Sequence, residues 1–317
     1  MALLSILVLA SCGGGSETDA GTTPADAGGG DAGSGGRVDI TDAVFVERSG
    51  DCADYAFSAE SMVTDIRAGV DHTGLVDLVA GDTACMLTSN AIPNHDFDDT
   101  SAAFATPVAE IETTFAIPRR PTMAASTTAL MLRSFDGVML NGVVLDLLAA
   151  GCFGVGDGRI GCMDLTAPWR YDPMSPLADF GTDMHHAHTQ PDGRYHYHGD
   201  PLAMYGEPTA PSPVIGFAAD GFPIYGPYFD DGGTVRAAVS GYALRSGARP
   251  SGTGDPGGSY DGTYVDDYEY AGTGDLDECN GMTVDGQYGY YVTATYPWVL
   301  ACLRGTPDPS FDKGPMM

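Results

Sequence analysis

The segment His185–Gly199 reads HHAHTQPDGRYHYHG and holds five of the seven histidines in the chain. Its middle decides the local fold. A two-residue Asp192-Gly193 turn would pair Pro191 with Arg194, yet proline has no N–H to close such a turn. A three-residue loop removes the conflict. Pro191 and Asp192 take the central positions of a type I turn, Gly193 takes the left-handed bulge position, and Gln190 pairs with Arg194. Counting outward from that pair, His188 faces His196 and His186 faces His198. Side chains alternate along a strand, so all four imidazoles project from one face, with opposed Cβ atoms about 4.5–5.5 Å apart. The other face carries Asp183, His185, Ala187, Tyr195 and Tyr197, and the tyrosines suit packing on a core.

Imidazoles at this spacing can share one ion at nitrogen–metal distances of about 2.0–2.1 Å. Nitrogen donors select zinc, copper, nickel or iron over calcium and magnesium. Met184 and Asp200 extend the same face; a thioether favours copper and a carboxylate favours zinc or iron, which leaves zinc and copper on equal terms. Two other readings stand beside the metal: an acid–base or anion site, and rings bonded to carboxylates and stacked on tyrosines. Four rings on one small face pack poorly with nothing between them, so a cation held by His186, His188, His196 and His198 is the expectation. His95, in a loop, is a candidate extra ligand or base. Asp220 and Tyr225, in the bend Asp220–Pro227, are candidate base and hydrogen-bond donor, with a glycine-proline bend bonded to its own backbone as the plain alternative. The acidic run Asp266, Asp267, Glu269, Asp275, Asp277 and Glu278 is a calcium candidate without EF-hand spacing.

The rest of the 317-residue chain sets the context. A net charge of -29 repels phosphate backbones and argues against nucleic-acid partners. Residues 1–11 form a short apolar run too short to span a bilayer, and Leu9-Ala10-Ser11-Cys12 has the form of a bacterial lipoprotein processing site with lipid on Cys12. The positive flank usual before such a run is missing, and an ordinary secretory signal or a cytosolic chain with an apolar start are the alternatives. The lipoprotein reading implies a chain in the cell envelope, facing periplasm or exterior, with no transmembrane helix. Residues 12–37 are rich in glycine, alanine and aspartate and read as a flexible stalk. Setting Cys12 aside leaves six cysteines in an oxidising compartment. Fifteen pairings are open to them, and pairing of neighbours, Cys52–Cys85, Cys152–Cys162 and Cys279–Cys302, is the expectation. Strand patterns appear at Val38–Glu47, Val214–Phe217 and Tyr290–Thr295, with an Asn-Gly hairpin or bend in Met139–Leu148. Ser58–Arg67 suggests a short helix, and Ser126–Arg133 suits helix or strand. The fold class expected is mostly β: one large antiparallel β-rich domain over residues 38–306, with long loops, few short helices, and a loose tail at 307–317.

Tyr195-His196-Tyr197-His198-Gly199 resembles the signature of the YHYH domain family. Ile92–His95, Asp220–Pro227, Asp267–Tyr270, Leu276–Gly281 and Tyr290–Thr293 with Tyr296-Pro297 are similar to further blocks of that family, together covering roughly residues 85 to 305. The resemblance implies an exported or surface protein and carries over no set of catalytic residues. Serine-hydrolase elbows, H-E-x-x-H helices and phosphate loops are absent from the sequence. Three functions remain: a surface-tethered metal-binding protein; a metalloenzyme, zinc hydrolase or copper oxidoreductase, with one open coordination position; and a structural or adhesive module.

Overall fold

The computed structural model describes residues 36–178 and 180–314; Cys12 and the stalk before residue 36 lie outside them. The chain is mostly β, as expected, and the helices among the described residues are short 3-10 turns. Two sheets share one hydrophobic core. The first runs in chain order: Val38–Asp39, Phe57–Asp65, Val70–Ala80, Ala84–Ser89 and Thr113–Pro118. Phe57–Asp65 takes in most of the segment expected to be helical. Ala59, Ser61, Val63 and Asp65 point inward while Ser58, Glu60 and Met62 point out, and the strand pairs antiparallel from Phe57↔Leu78 to Asp65↔Val70. Period-two burial against a long partner outweighed a modest helical propensity.

The second sheet has eight strands in the spatial order Gly281–Val284, Gln287–Tyr291, Pro223–Tyr225, Val214–Ala218, Gly137–Met139, Val144–Leu145, Tyr195–Tyr197 and Ala187–Thr189. Antiparallel pairing dominates. Parallel pairing joins Ile224 to Tyr290 and His196 to Val144. The histidine hairpin therefore forms one edge of this sheet, and its inner strand is registered on the chain just after the Asn141-Gly142 turn. Gly142 takes φ +86 there, and a Cβ at that position would lie 2.5 Å from Cβ of Ser89.

All three neighbour pairs of cysteines are disulfide-bonded, Cys52–Cys85, Cys152–Cys162 and Cys279–Cys302. Among the described residues no helix is long and apolar enough to cross a membrane. The end of the chain corrects the expectation of a loose tail. Residues 308–313 lie on the domain: Phe311 is buried and stacks on Phe115 at 4.9 Å, and Asp312 bridges Ser134. One large aromatic with a cavity to fill is enough to hold a short segment that lacks regular structure.

Candidate metal centre

The hairpin has the expected register. The Gln190 N–H donates to the Arg194 carbonyl at 2.9 Å and the Gly193 N–H to the Gln190 carbonyl at 2.9 Å, with Gly193 at φ +90. His188 is opposite His196, Tyr195 is opposite Thr189, and the His198 N–H donates to the His186 carbonyl at 2.8 Å.

Three of the four expected rings converge. Nε2 of His198 lies 3.0 Å from Nε2 of His196 and 3.0 Å from Nε2 of His188, and the ligand atoms of the three all lie within 4.8 Å of one another. The fourth does not join them. His186 sits before the strand in a left-handed backbone conformation, φ +61, and its Nδ1 bonds the Asp200 carbonyl at 2.8 Å. The strand's alternation ends there, so equal sequence spacing no longer means a shared face.

The backbone sets the state of the converging rings. Nδ1 of His188 meets the Gly181 carbonyl at 2.8 Å, and Nδ1 of His196 meets the Arg194 carbonyl at 3.2 Å. A carbonyl only accepts, so both Nδ1 atoms carry hydrogen and both Nε2 atoms present lone pairs when the rings are neutral. Burial, first of all, holds the imidazole pKa of all three below the ordinary value, well below it for His196 and His198. Neighbouring rings and the Lys313 ammonium act in the same direction on His196 and His198. Two fixed lone pairs aimed at a third buried nitrogen make an arrangement that takes a proton or a cation between the rings. A tetrahedral ion at about 2.0–2.1 Å from each nitrogen needs ligand separations of about 3.3–3.4 Å, which small ring rotations supply. Nδ1 of His198 has no hydrogen-bond partner of good geometry, although the Leu147 backbone lies on its side.

Behind the histidines, the alternating residues anchor the hairpin. Tyr195 and Tyr197 are fully buried. The Tyr195 hydroxyl donates to Asp183 Oδ2 at 2.7 Å, and Asp183 also caps the N–H groups of His185 and Ala187. Tyr197 OH receives the Asn141 amide at 2.9 Å and meets His95 Nε2 at 2.7 Å. His95 thus belongs to the anchoring face. Its Nδ1 meets the Asp96 carbonyl at 2.8 Å, its ring lies against the tilted ring of His185 with centroids 3.8 Å apart, and burial, with help from His185, lowers its pKa to about 3. The structure does not bring it to the three rings.

Asp220 and Tyr225 are also placed elsewhere. Asp220 Oδ2 accepts from Tyr290 OH at 2.7 Å and from the Gly305 N–H at 2.8 Å, and Tyr225 stacks on Tyr291 at 4.9 Å with its hydroxyl on the Arg48 carbonyl. Both work as ties between segments. The acidic run does not gather around one point: Asp267 pairs with Arg249, Glu269 with Arg245, Asp275 with Arg236, and Glu278 with Arg304, while Asp266 caps the N–H groups of Trp169 and Arg170. Guanidinium groups pair with most of the carboxylates of this run, in line with the solvated or capping role that was the alternative to calcium. A second group with ligand spacing, Asp51 with Cys52 and Cys85, offers no thiolate because the two sulfurs are bonded to each other.

Sequence reasoning missed one group beside the histidines. Parallel pairing of Tyr197 with Leu145, continued by the Asp146 N–H donating to the Tyr197 carbonyl at 3.0 Å, sets Asp146 at the end of the hairpin's inner strand. Asp146 is buried, and its Oδ2 receives Gln190 Nε2 and Lys313 Nζ. Lys313 is the only lysine in the chain, and a lone lysine in an acidic protein was the signal available.

A family model described as YHYH protein matches residues 114–305. The chain belongs to the YHYH family. The matched span contains the three converging histidines, both hairpin tyrosines and the turn whose Asn141 amide donates to Tyr197, while His95 precedes it and the Lys313 segment follows it. No curated protein and no solved structure matches the chain.

Proposed function

We propose that this YHYH-family chain binds one transition-metal ion through Nε2 of His188, His196 and His198. The observation that carries the reading is the tautomer set: carbonyls hold hydrogen on two Nδ1 atoms, so the lone pairs converge in a buried site. Zinc and copper both suit three imidazoles. The test is elemental analysis after loading with zinc or with copper and desalting. About one ion per chain is expected, falling below about 0.1 in a His196→Ala/His198→Ala double variant. Wild-type protein that retains neither metal would overturn the reading.

Three protein ligands favour a second reading over a closed storage site, because a fourth position remains for water or a small ligand. Zinc there would polarise a water for hydrolysis, and copper would support redox chemistry. Asp220, Tyr225 and His95 are engaged elsewhere, so a base for such a reaction would have to come from the Asp146 side. Exchange of a bound water, read by relaxation of solvent protons on copper-loaded protein, separates the two: no exchange would exclude the open site.

We also propose a cell-envelope location with a lipid on Cys12. Leu9-Ala10-Ser11-Cys12 and three disulfides support it. Expression of a Cys12→Ser variant should move the protein from the membrane fraction to the soluble one; an unchanged distribution would reject the anchor.

A further inference from the structure

A cavity of about 270 Å³ opens between Leu147–Leu148, the 165–172 loop and the 296–301 segment, and none of the three converging histidines lines it. Most of its wall is apolar, with Leu130, Leu147, Leu165 and Leu300 among the lining residues. Asp172 is set into that wall and is almost completely buried. Its carboxylate accepts the Trp298 indole N–H at 3.2 and 3.1 Å and the Met174 N–H at 2.9 Å. Tyr296, stacked on Tyr268 at 4.3 Å with the rings 6° from parallel, lines the same space as Trp298.

Among the described residues, no cationic side chain is paired with this carboxylate. Arg170 is also in the wall, but its two Nη atoms are committed to the carbonyls of Ala149, Cys162 and Asp164. The charged neighbour that acts on Asp172 is Asp267, itself paired with Arg249, and Asp266 lines the cavity. Burial raises the Asp172 carboxyl to about 6, so it is still largely ionised at neutral pH. A buried carboxylate beside indole and phenol rings has the chemistry that recognises ammonium groups, through ion pairing and cation–π attraction together. The net charge of -29 raises the local concentration of any such cation.

We infer that this cavity binds a small organic ammonium ion, its charged head against Asp172, Tyr296 and Trp298 and its carbon body among Leu147, Leu165 and Leu300. The inference is independent of the metal centre. Calorimetric titration of the full chain with choline, with butylammonium and with 3,3-dimethylbutan-1-ol, the uncharged analogue of choline, tests it. Saturable binding of at least one ammonium is expected, with the alcohol at least about tenfold weaker, and Asp172→Asn should weaken the ammonium by about tenfold or more at unchanged metal content. Ala167→Phe narrows the cavity from a more exposed position and should abolish binding while sparing the carboxylate, which covers the case of an Asp172 variant that does not fold. Absence of saturation by either ammonium, equal binding of the alcohol, or full binding by both variants would each overturn the proposal.

Discussion

His186 and His188 are neighbours on paper and part company in the fold. His188 lies within Ala187–Thr189, where alternation holds, and its ring joins His196 and His198; His186 precedes that strand at φ +61 and turns to the Asp200 carbonyl. The difference makes a prediction that separates three ligands from four. His186→Ala should keep nearly the full metal content of the wild type, whereas His188→Ala should lose most of it, as counted by elemental analysis after equal loading. Loss on replacing His186 would show that the turn rearranges to complete a four-histidine site. At this scale the sequence was legible for the convergence of three of the four rings, because strand residues obey a fixed period. The fourth depended on one backbone angle, which no residue type at position 186 announces.

At the scale of the element, the Pro191–Gly193 loop fixes the register of both strands. Gly193 at φ +90 is the one position where the loop requires glycine: a Cβ there would meet Ala109 Cβ at 2.7 Å and the Pro107 carbonyl oxygen at 2.9 Å. Gly193→Ala therefore faces both a strained backbone and a clash, a cost of about 1–3 kcal/mol. It should lower the denaturation midpoint and weaken metal binding together, because the loop sets His188 opposite His196. Unfolding curves and competition against a chromophoric chelator would measure the two effects. A destabilised variant with unchanged metal affinity would mean that the inner strand, held by Val144–Leu145, positions the rings without the loop. The hairpin was readable because proline, aspartate and glycine each restrict a turn in a known way. The strand Phe57–Asp65 was not, since its periodicity gains meaning only when Val70–Ala80 lies beside it.

Across the whole molecule, the hairpin is held by a polar network that sets a pH limit. His95 is neutral in the fold, with its pKa lowered from 6.5 to about 3 by burial and then by His185, and it accepts the Tyr197 hydroxyl. In the unfolded chain the same ring takes up a proton near its ordinary value. Its contribution is therefore fully present above pH 6.5 and is lost as pH falls from there toward about 3, at up to about 1.4 kcal/mol per pH unit. Urea unfolding of chelator-treated protein at pH 7 and pH 5 should show the wild type losing more stability than a His95→Asn variant. Equal losses would show that His95 does not carry this acid sensitivity. Fold class and the disulfide pairs were legible at this scale from strand patterns and cysteine order. The placing of Asp220 and Tyr225 away from the histidines was not, because both are set by the sheet order that puts Pro223–Tyr225 between Val214–Ala218 and Gln287–Tyr291.

Local chemistry in the sequence determined the turn, its register, the tyrosine face and three of the rings, since each follows from interactions within fifteen residues. Tertiary structure alone decided what surrounds them. Asp146 comes beside the hairpin because the strand Val144–Leu145, some fifty residues earlier, pairs parallel with Tyr195–Tyr197, and the single lysine arrives from residue 313, held down by the burial of Phe311. Contacts of that kind depend on how the strands are ordered in space, a property of the packed core that no local pattern encodes.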